Sequence, residues 1–107
     1  MKLPADAMIA REKVIRYLLV RQARGDQSAF LARAGYKIQN GDQLLDDLRA
    51  QVLPLEATPI HSTVFGDFYE IRGPLTGPNG VTLNVRSIWM QEELSKATKF
   101  ITLIPDK

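Results

Sequence analysis

Two hydrophobic periods divide the chain. Between Ala10 and Val20 the apolar residues Val14, Ile15, Leu18 and Leu19 recur at the three- and four-residue spacing of a helix. Lys13 and Arg16 fall on the other side, with Arg24 joining them if the helix runs that far. Arg11 sits one turn before Val14 and Ile15, in line with the apolar stripe. Gly25-Asp26 offers an N-cap for a short helix through Phe30 and Leu31, and Gly35 suits its stop. Asn40-Gly41-Asp42 opens a third helix, whose stripe is Leu44, Leu45, Leu48 and Val52. Asp42 in its first turn complements the helix dipole, and Pro54 ends it.

After Pro54 the period shortens. Thr58 to Phe65 is rich in β-branched residues and reads as a strand, weakened at its start by Pro59. Asp67 to Leu75 reads as a second. Thr76-Gly77-Pro78-Asn79-Gly80 is a strong turn signal. Val81 to Met90 alternates cleanly, and Ala97 to Ile104 is a fourth strand. Short links between successive strands predict antiparallel pairing. The expected fold is therefore α+β: N-terminal helices packed on a four-stranded antiparallel sheet, as a single domain over 1–107.

The turn suggests a register. With Leu75 opposite Val81, Arg72 faces Asn84 and Glu70 faces Arg86. Because side chains alternate across a strand, Glu70, Arg72, Thr82, Asn84 and Arg86 share one open face. Tyr69, Ile71, Leu83, Val85 and Trp89 share the face toward the helices. In the last strand Ile101 and Leu103 are expected in the core, which puts Thr98, Phe100 and Thr102 on the open face.

Charge adds one feature. The net +2 hides a gradient. Residues 1–37 carry eight Lys and Arg against three acids, net +5. Residues 38–70 carry Arg49 against six acids, net −5, and the remainder is net +2. A basic first third suits a polyanion, with a solvated helix face as the plainer account. No apolar run approaches the roughly 20 residues of a membrane span, and Met1-Lys2-Leu3-Pro4 lacks a signal-peptide pattern. With no cysteine and one histidine, His61, no metal site is expected. No phosphate-binding glycine loop and no other cofactor signature is present.

Metal-free RNA cleavage asks for less: a base for the 2′-hydroxyl, an acid for the leaving oxygen and a cation for the phosphorane. His61 can serve as base or acid, and Arg86 or Arg72 can grip phosphate through a fork of donors. Thr63, Thr98 and Thr102 can donate hydrogen bonds. The candidate catalytic set is Arg86, His61, Thr63 and Thr102. Arg72, Asn84, Thr98, Lys99, Lys13, Arg16 and Arg24 are the candidate substrate contacts. The plainer account of Glu70 with the two arginines is a cross-strand salt bridge on a wet face.

The segments Gly73–Met90 and Thr98–Lys107 resemble an uncharacterised bacterial domain family, as do the Leu3-Pro4-Ala5 start and the Gly66-x-x-Tyr69 step. That family occurs alone and at the C-termini of filamentous-haemagglutinin-like proteins. Thr63, Tyr69, Trp89 and Thr102 match its pattern, whereas His61 does not. The resemblance implies a polymorphic or contact-dependent inhibition toxin neutralised by a cognate immunity protein. It also implies delivery from a secreted or surface protein into a target cell's cytoplasm. Many such toxins are ribonucleases with the barnase, EndoU and RelE type of fold. The expected function is thus a metal-independent ribonuclease, acting on tRNA. The competing expectation is a non-enzymatic protein-binding or antitoxin-like module.

Overall fold

The computed structural model describes residues 1–19 and 27–106. Its strands are Thr58–Thr63 (β1), Gly66–Thr76 (β2), Thr82–Glu92 (β3) and Thr98–Pro105 (β4). They pair in sequence order into one antiparallel sheet. The helical elements before them are Arg11–Lys13 (α1), Ser28–Ala32 (α2) and Gly41–Asp47 (α3). The first and third continue as wider π-helical turns over Val14–Leu19 and Leu48–Val52. The architecture is α+β, with the helices on one face of the sheet. Among the described residues no helix is long and apolar enough to cross a membrane.

Both periods have the expected consequence. Val14, Leu18, Leu44, Leu48 and Val52 are buried from the helical side, and Ile71, Leu75, Leu83, Val85 and Trp89 from the sheet. Gly35 stops the α2 segment in a left-handed conformation, φ 93°, where glycine carries no Cβ penalty. The proposed Gly25-Asp26 cap lies outside the described residues.

Polar groups fasten the two layers together. Gln51, beyond α3, accepts from the Thr76 backbone N–H at 2.8 Å and donates to its carbonyl at 3.0 Å. The buried Tyr36 hydroxyl donates to Asp47 at 2.6 Å. Burial first, and this carboxylate second, push its phenol well above the ordinary range. Deep in the sheet, Trp89 Nε1 donates to Ser87 Oγ at 2.8 Å, which donates to the Ile71 carbonyl at 3.1 Å. Burying a tryptophan and a serine without such partners would cost free energy.

Three strand expectations need correction. Leu75 lies opposite Leu83, not Val81, so Arg72 faces Arg86 and Glu70 faces Ile88. The closing pair is Thr76–Thr82, so the turn keeps five residues but lies one position further along the chain, and the resulting two-residue slip in the pairing leaves both faces intact. In β4 a bulge places the extra residue Ile101 between Phe100, opposite Trp89, and Thr102, opposite Ile88. The alternation is therefore broken within the strand. Phe100 turns inward and packs edge-on against Trp89 at 5.2 Å. Thr98 is buried with it, leaving the open face, while Thr102 stays opposite Ile88 on that face. Ile101, expected in the core, is only half-buried.

The exposed side of β4 is covered by the chain's own start. Met8 N–H donates to the Thr98 carbonyl at 2.7 Å, and Phe100 N–H to the Met8 carbonyl at 2.8 Å. Arg49 holds this segment through the carbonyls of Ala5 and Ala7, both at 2.9 Å. The outer edge is therefore occupied at Thr98–Phe100, where it would otherwise offer an open pairing template.

The β2–β3 turn approaches α2 closely. A Cβ on Gly77 would lie 2.1 Å from the Ala34 carbonyl oxygen, which is backbone and has little room to yield. Gly77→Ala should lower the unfolding free energy by roughly 1–3 kcal/mol, the usual range for overpacking. Urea denaturation of the two proteins measures the difference.

Candidate functional site on the open sheet face

Outward positions on the three inner pairings determine what the open face presents. β2 contributes Phe68, Glu70 and Arg72; β3 contributes Asn84, Arg86, Ile88 and Met90. His61 joins them from β1, opposite Phe68, because the bulge at Ile60 restores its outward phase. Its imidazole stacks on the Phe68 ring with centroids 4.5 Å apart and planes 14° from parallel. No described helix crosses this face.

Glu70 is the centre of the cluster. Its side chain is only 11% exposed. Arg72 Nε donates to one carboxylate oxygen at 2.6 Å, and Arg86 Nε donates to the other at 2.9 Å. Arg86 Nη2 makes a further short contact to that second oxygen. Asp106 stands 3.9 Å from Arg72 Nη1. Burial alone would raise the Glu70 pKa. The hydrogen bonds from Arg86 and Arg72 outweigh it and hold the carboxyl below the ordinary 4.5. The residue is accordingly an ionised carboxylate at neutral pH.

The register makes this cluster unusual. Arg72 and Arg86 are direct cross-strand partners on one face. Like charges placed so are destabilising, and here a carboxylate from the next outward position offsets the repulsion. Glu70 reaches Arg86 diagonally, so the expected ion pair exists although the expected register does not. The sequence pattern treats Glu70 only as a salt-bridge partner. The available signal was a carboxylate two residues from one arginine and on the same face as another.

The other candidates distribute unevenly. Asn84 lies one outward position from Arg86, and its side chain is exposed. Thr102 lies opposite Ile88, the neighbour of Arg86 on the same face. Lys99 is opposite Met90 and is ion-paired with Glu92 at 2.6 Å. Thr63 stands at the β1–β2 turn, where its hydroxyl accepts from Phe65 N–H at 3.1 Å. It pairs across to Gly66, and Gly66 to Glu92, six residues from Arg86, which puts it roughly 20 Å along the sheet from that arginine. Thr98 is in the core and its buried hydroxyl has no hydrogen-bond partner among the described residues. Lys13 is on α1 beside Leu18, Ile101 and Thr102 at the β4 edge, away from the Glu70 cluster. Arg16 pairs with Glu12 at 3.4 Å. Arg24 lies outside the described residues. Arg11, in line with the apolar stripe, bonds Asp42 of α3 at 2.7 Å instead of pointing to a ligand.

The family model for a domain of unknown function (DUF6883) matches residues 2–107. The chain belongs to this family. Neither a curated protein nor a solved structure matches it. For this DUF6883 chain the assignment of chemistry therefore rests on its own side chains. Among the described residues no three His, Cys, Asp or Glu come together as a metal-binding group. What the face does offer is a carboxylate, two guanidiniums and an imidazole. His61 is one outward position along and one strand across from Glu70, a separation of roughly 8 Å between Cα atoms.

A folded carboxyl with a depressed pKa stabilises the fold above its unfolded pKa, and the contribution fades as pH falls through the folded value. Replacing Glu70 by Gln should destabilise the protein at neutral pH, because the arginine pair loses its counter-charge. Below the ordinary 4.5 the wild-type carboxyl takes up a proton and comes to resemble the amide. The stability difference between wild type and Glu70→Gln should therefore shrink steadily on acidification through that range. Unfolding curves across pH would contradict the cluster's role if the difference stayed constant.

Proposed function

We propose that this DUF6883 domain is a ribonuclease whose active face is the open side of the sheet. The observation that carries the reading is the directly opposed pair Arg72 and Arg86, aimed outward with Glu70 between them. A sheet selected for stability alone gains nothing from two facing guanidiniums. A sheet that must hold a phosphodiester gains two forks of N–H donors on one anion.

The chemistry follows from the groups present. The arginines bind the non-bridging phosphate oxygens and stabilise the charge that grows on them in the transition state. A phosphate taking their outer donors competes with Glu70 for positive charge and so raises the carboxylate's proton affinity. Glu70 can then accept the proton of the 2′-hydroxyl, while His61 protonates the leaving 5′-oxygen. The product of such a step is a 2′,3′-cyclic phosphate and a free 5′-hydroxyl. Every role is filled by a side chain, so the reaction is proposed to be metal-independent.

The resemblance of Gly73–Met90 and Thr98–Lys107 to toxin-borne domains supports the biological setting. In that setting the domain is the toxic end of a bacterial competition system, acting on tRNA in the target cytoplasm and restrained by an immunity protein. One observation favours the second reading, a non-enzymatic binding module. Val64, Phe65 and Leu94 stand 86%, 73% and 99% exposed on adjacent turns, as anchors for a protein partner would.

Incubating the purified domain with bacterial RNA in excess chelator separates the readings. Discrete cleavage ending in cyclic phosphate is the expected result. Intact RNA, and harmless expression without a partner, would favour the binding module. Arg86→Ala should reduce cleavage about 10²–10³-fold, the scale for loss of one transition-state donor, with the circular dichroism spectrum unchanged. His61→Gln should cost about 10²–10⁴-fold, the scale for loss of a general acid. Full activity in a folded Arg86→Ala protein would remove the arginine pair from the mechanism.

A further inference from the structure

Beyond the Arg72–Arg86 pair, toward the β2–β3 turn, the open face meets a cavity of about 530 Å³. It lies between α2 and the neighbouring ends of β3 and β4. Phe30, Arg33, Thr82, Asn84, Pro105 and Asp106 form the walls that matter. Neither Arg33 nor Asn84 makes a side-chain hydrogen bond or ion pair among the described residues; their bonds are made by the backbone, their carbonyls accepting from Asn79 Nδ2 and from Asp106 N–H. Asp106 is a quarter exposed and only loosely shared with Arg72. A free amide, a free guanidinium and this loosely paired carboxylate thus converge beside an aromatic ring and a proline in one concavity.

We infer that this cavity is a nucleobase subsite, holding an unpaired base of single-stranded RNA next to the phosphate on Arg72 and Arg86. The inference rests on the ribonuclease reading for its neighbour but not for its own chemistry. A base is a flat apolar plate with a polar edge. Phe30 and Pro105 offer apolar surface for the plate. The Asn84 amide presents a donor and an acceptor, the Asp106 carboxylate accepts, and the Arg33 guanidinium donates. Those are the partners a Watson–Crick edge requires, and a base already paired in a duplex has that edge occupied.

Spacing supports the assignment. Asn84 precedes Arg86 by one outward position, a rise of roughly 7 Å along β3. That step is comparable with the reach from a nucleotide's phosphate to its base. Asp106 spans the boundary, since its carboxylate lines the cavity and stands 3.9 Å from Arg72. A strand of RNA can therefore enter the cavity with a base while its adjoining phosphate meets the arginines. The cavity is also open to solvent without any rearrangement of the core, because Arg33, Thr82 and Asn84 are exposed.

The test separates binding from cleavage. A labelled single-stranded 2′-O-methyl oligoribonucleotide lacks the nucleophile, and fluorescence anisotropy reads its affinity. A second oligomer has the same backbone with abasic residues. Wild type should bind the intact oligomer about tenfold more tightly than the abasic one, the discrimination that corresponds to roughly 1.4 kcal/mol. The double variant Arg33→Gln/Asn84→Ala, altered only at exposed positions, should keep its melting temperature and lose most of that preference. Equal binding of the two oligomers by wild type, or an unchanged preference in the folded variant, would overturn the subsite. RNA that is bound with base preference yet never cut would overturn the ribonuclease reading and leave the subsite standing. Cleavage by wild type with the preference unchanged in the variant would do the reverse.

Discussion

β3 is paired on both sides, to β2 and to β4, and its inward residues Leu83, Val85, Ser87 and Trp89 are all buried. A two-residue period with one face wholly occupied leaves no freedom for the other face. Asn84, Arg86, Ile88 and Met90 must point away from the helices. Displacing the strand by one residue would bury Arg86 and expose Trp89. The hydrogen-bonded chain from Trp89 through Ser87 to the Ile71 carbonyl locks this phase, since a slip would separate these buried polar atoms from their partners. The outward placement of the β3 side chains in the candidate site follows from that fixed phase.

Charge is then handled locally. Two guanidiniums from neighbouring strands meet across the face, and one nearly covered carboxylate stands between them. The carboxylate is held ionised by the same groups it neutralises. Such a trio is both an ion cluster that stabilises the sheet and a preorganised anion receptor. The two roles are compatible because each guanidinium has five N–H donors and the carboxylate uses only some of them. Apolar neighbours surround the trio: Ile88 opposite Glu70, and the Phe68–His61 stack one position along. They lower the local polarity and strengthen each charge–charge contact relative to bulk water.

The two ends of this face differ in character. Toward the β2–β3 turn lies the cavity with the unengaged Asn84 amide and Arg33 guanidinium and the Asp106 carboxylate, 3.9 Å from Arg72. Toward the β1–β2 and β3–β4 turns stand Val64, Phe65 and Leu94, joined by the hydrogen bond from Glu93 N–H to the Phe65 carbonyl at 2.9 Å. A polar concavity and a protruding apolar tip suit different occupants. On the proposed reading the first receives RNA and the second remains available to a protein, so substrate and inhibitor need not compete for the same atoms.

Periodicity in the chain by itself determined the element order, the third-helix stripe Leu44, Leu48 and Val52, and the outward phase of Glu70, Arg72, Asn84 and Arg86. These depend on local spacing, which a helix or strand converts directly into a face. Only the tertiary structure decided where strands slip and bulge. The register that sets Arg72 opposite Arg86 arises from how the turn packs on Ala34. The bulge at Ile101, which takes Thr98 and Phe100 into the core, forms where β4 must satisfy both Trp89 and the Met8 segment. Neither is visible as a pattern, because each depends on contacts between residues distant in sequence. For the same reason the cavity between Arg33, Asn84 and Asp106 has no signature in the chain: its walls come from α2 and from opposite ends of the last hairpin, and only folding brings them together.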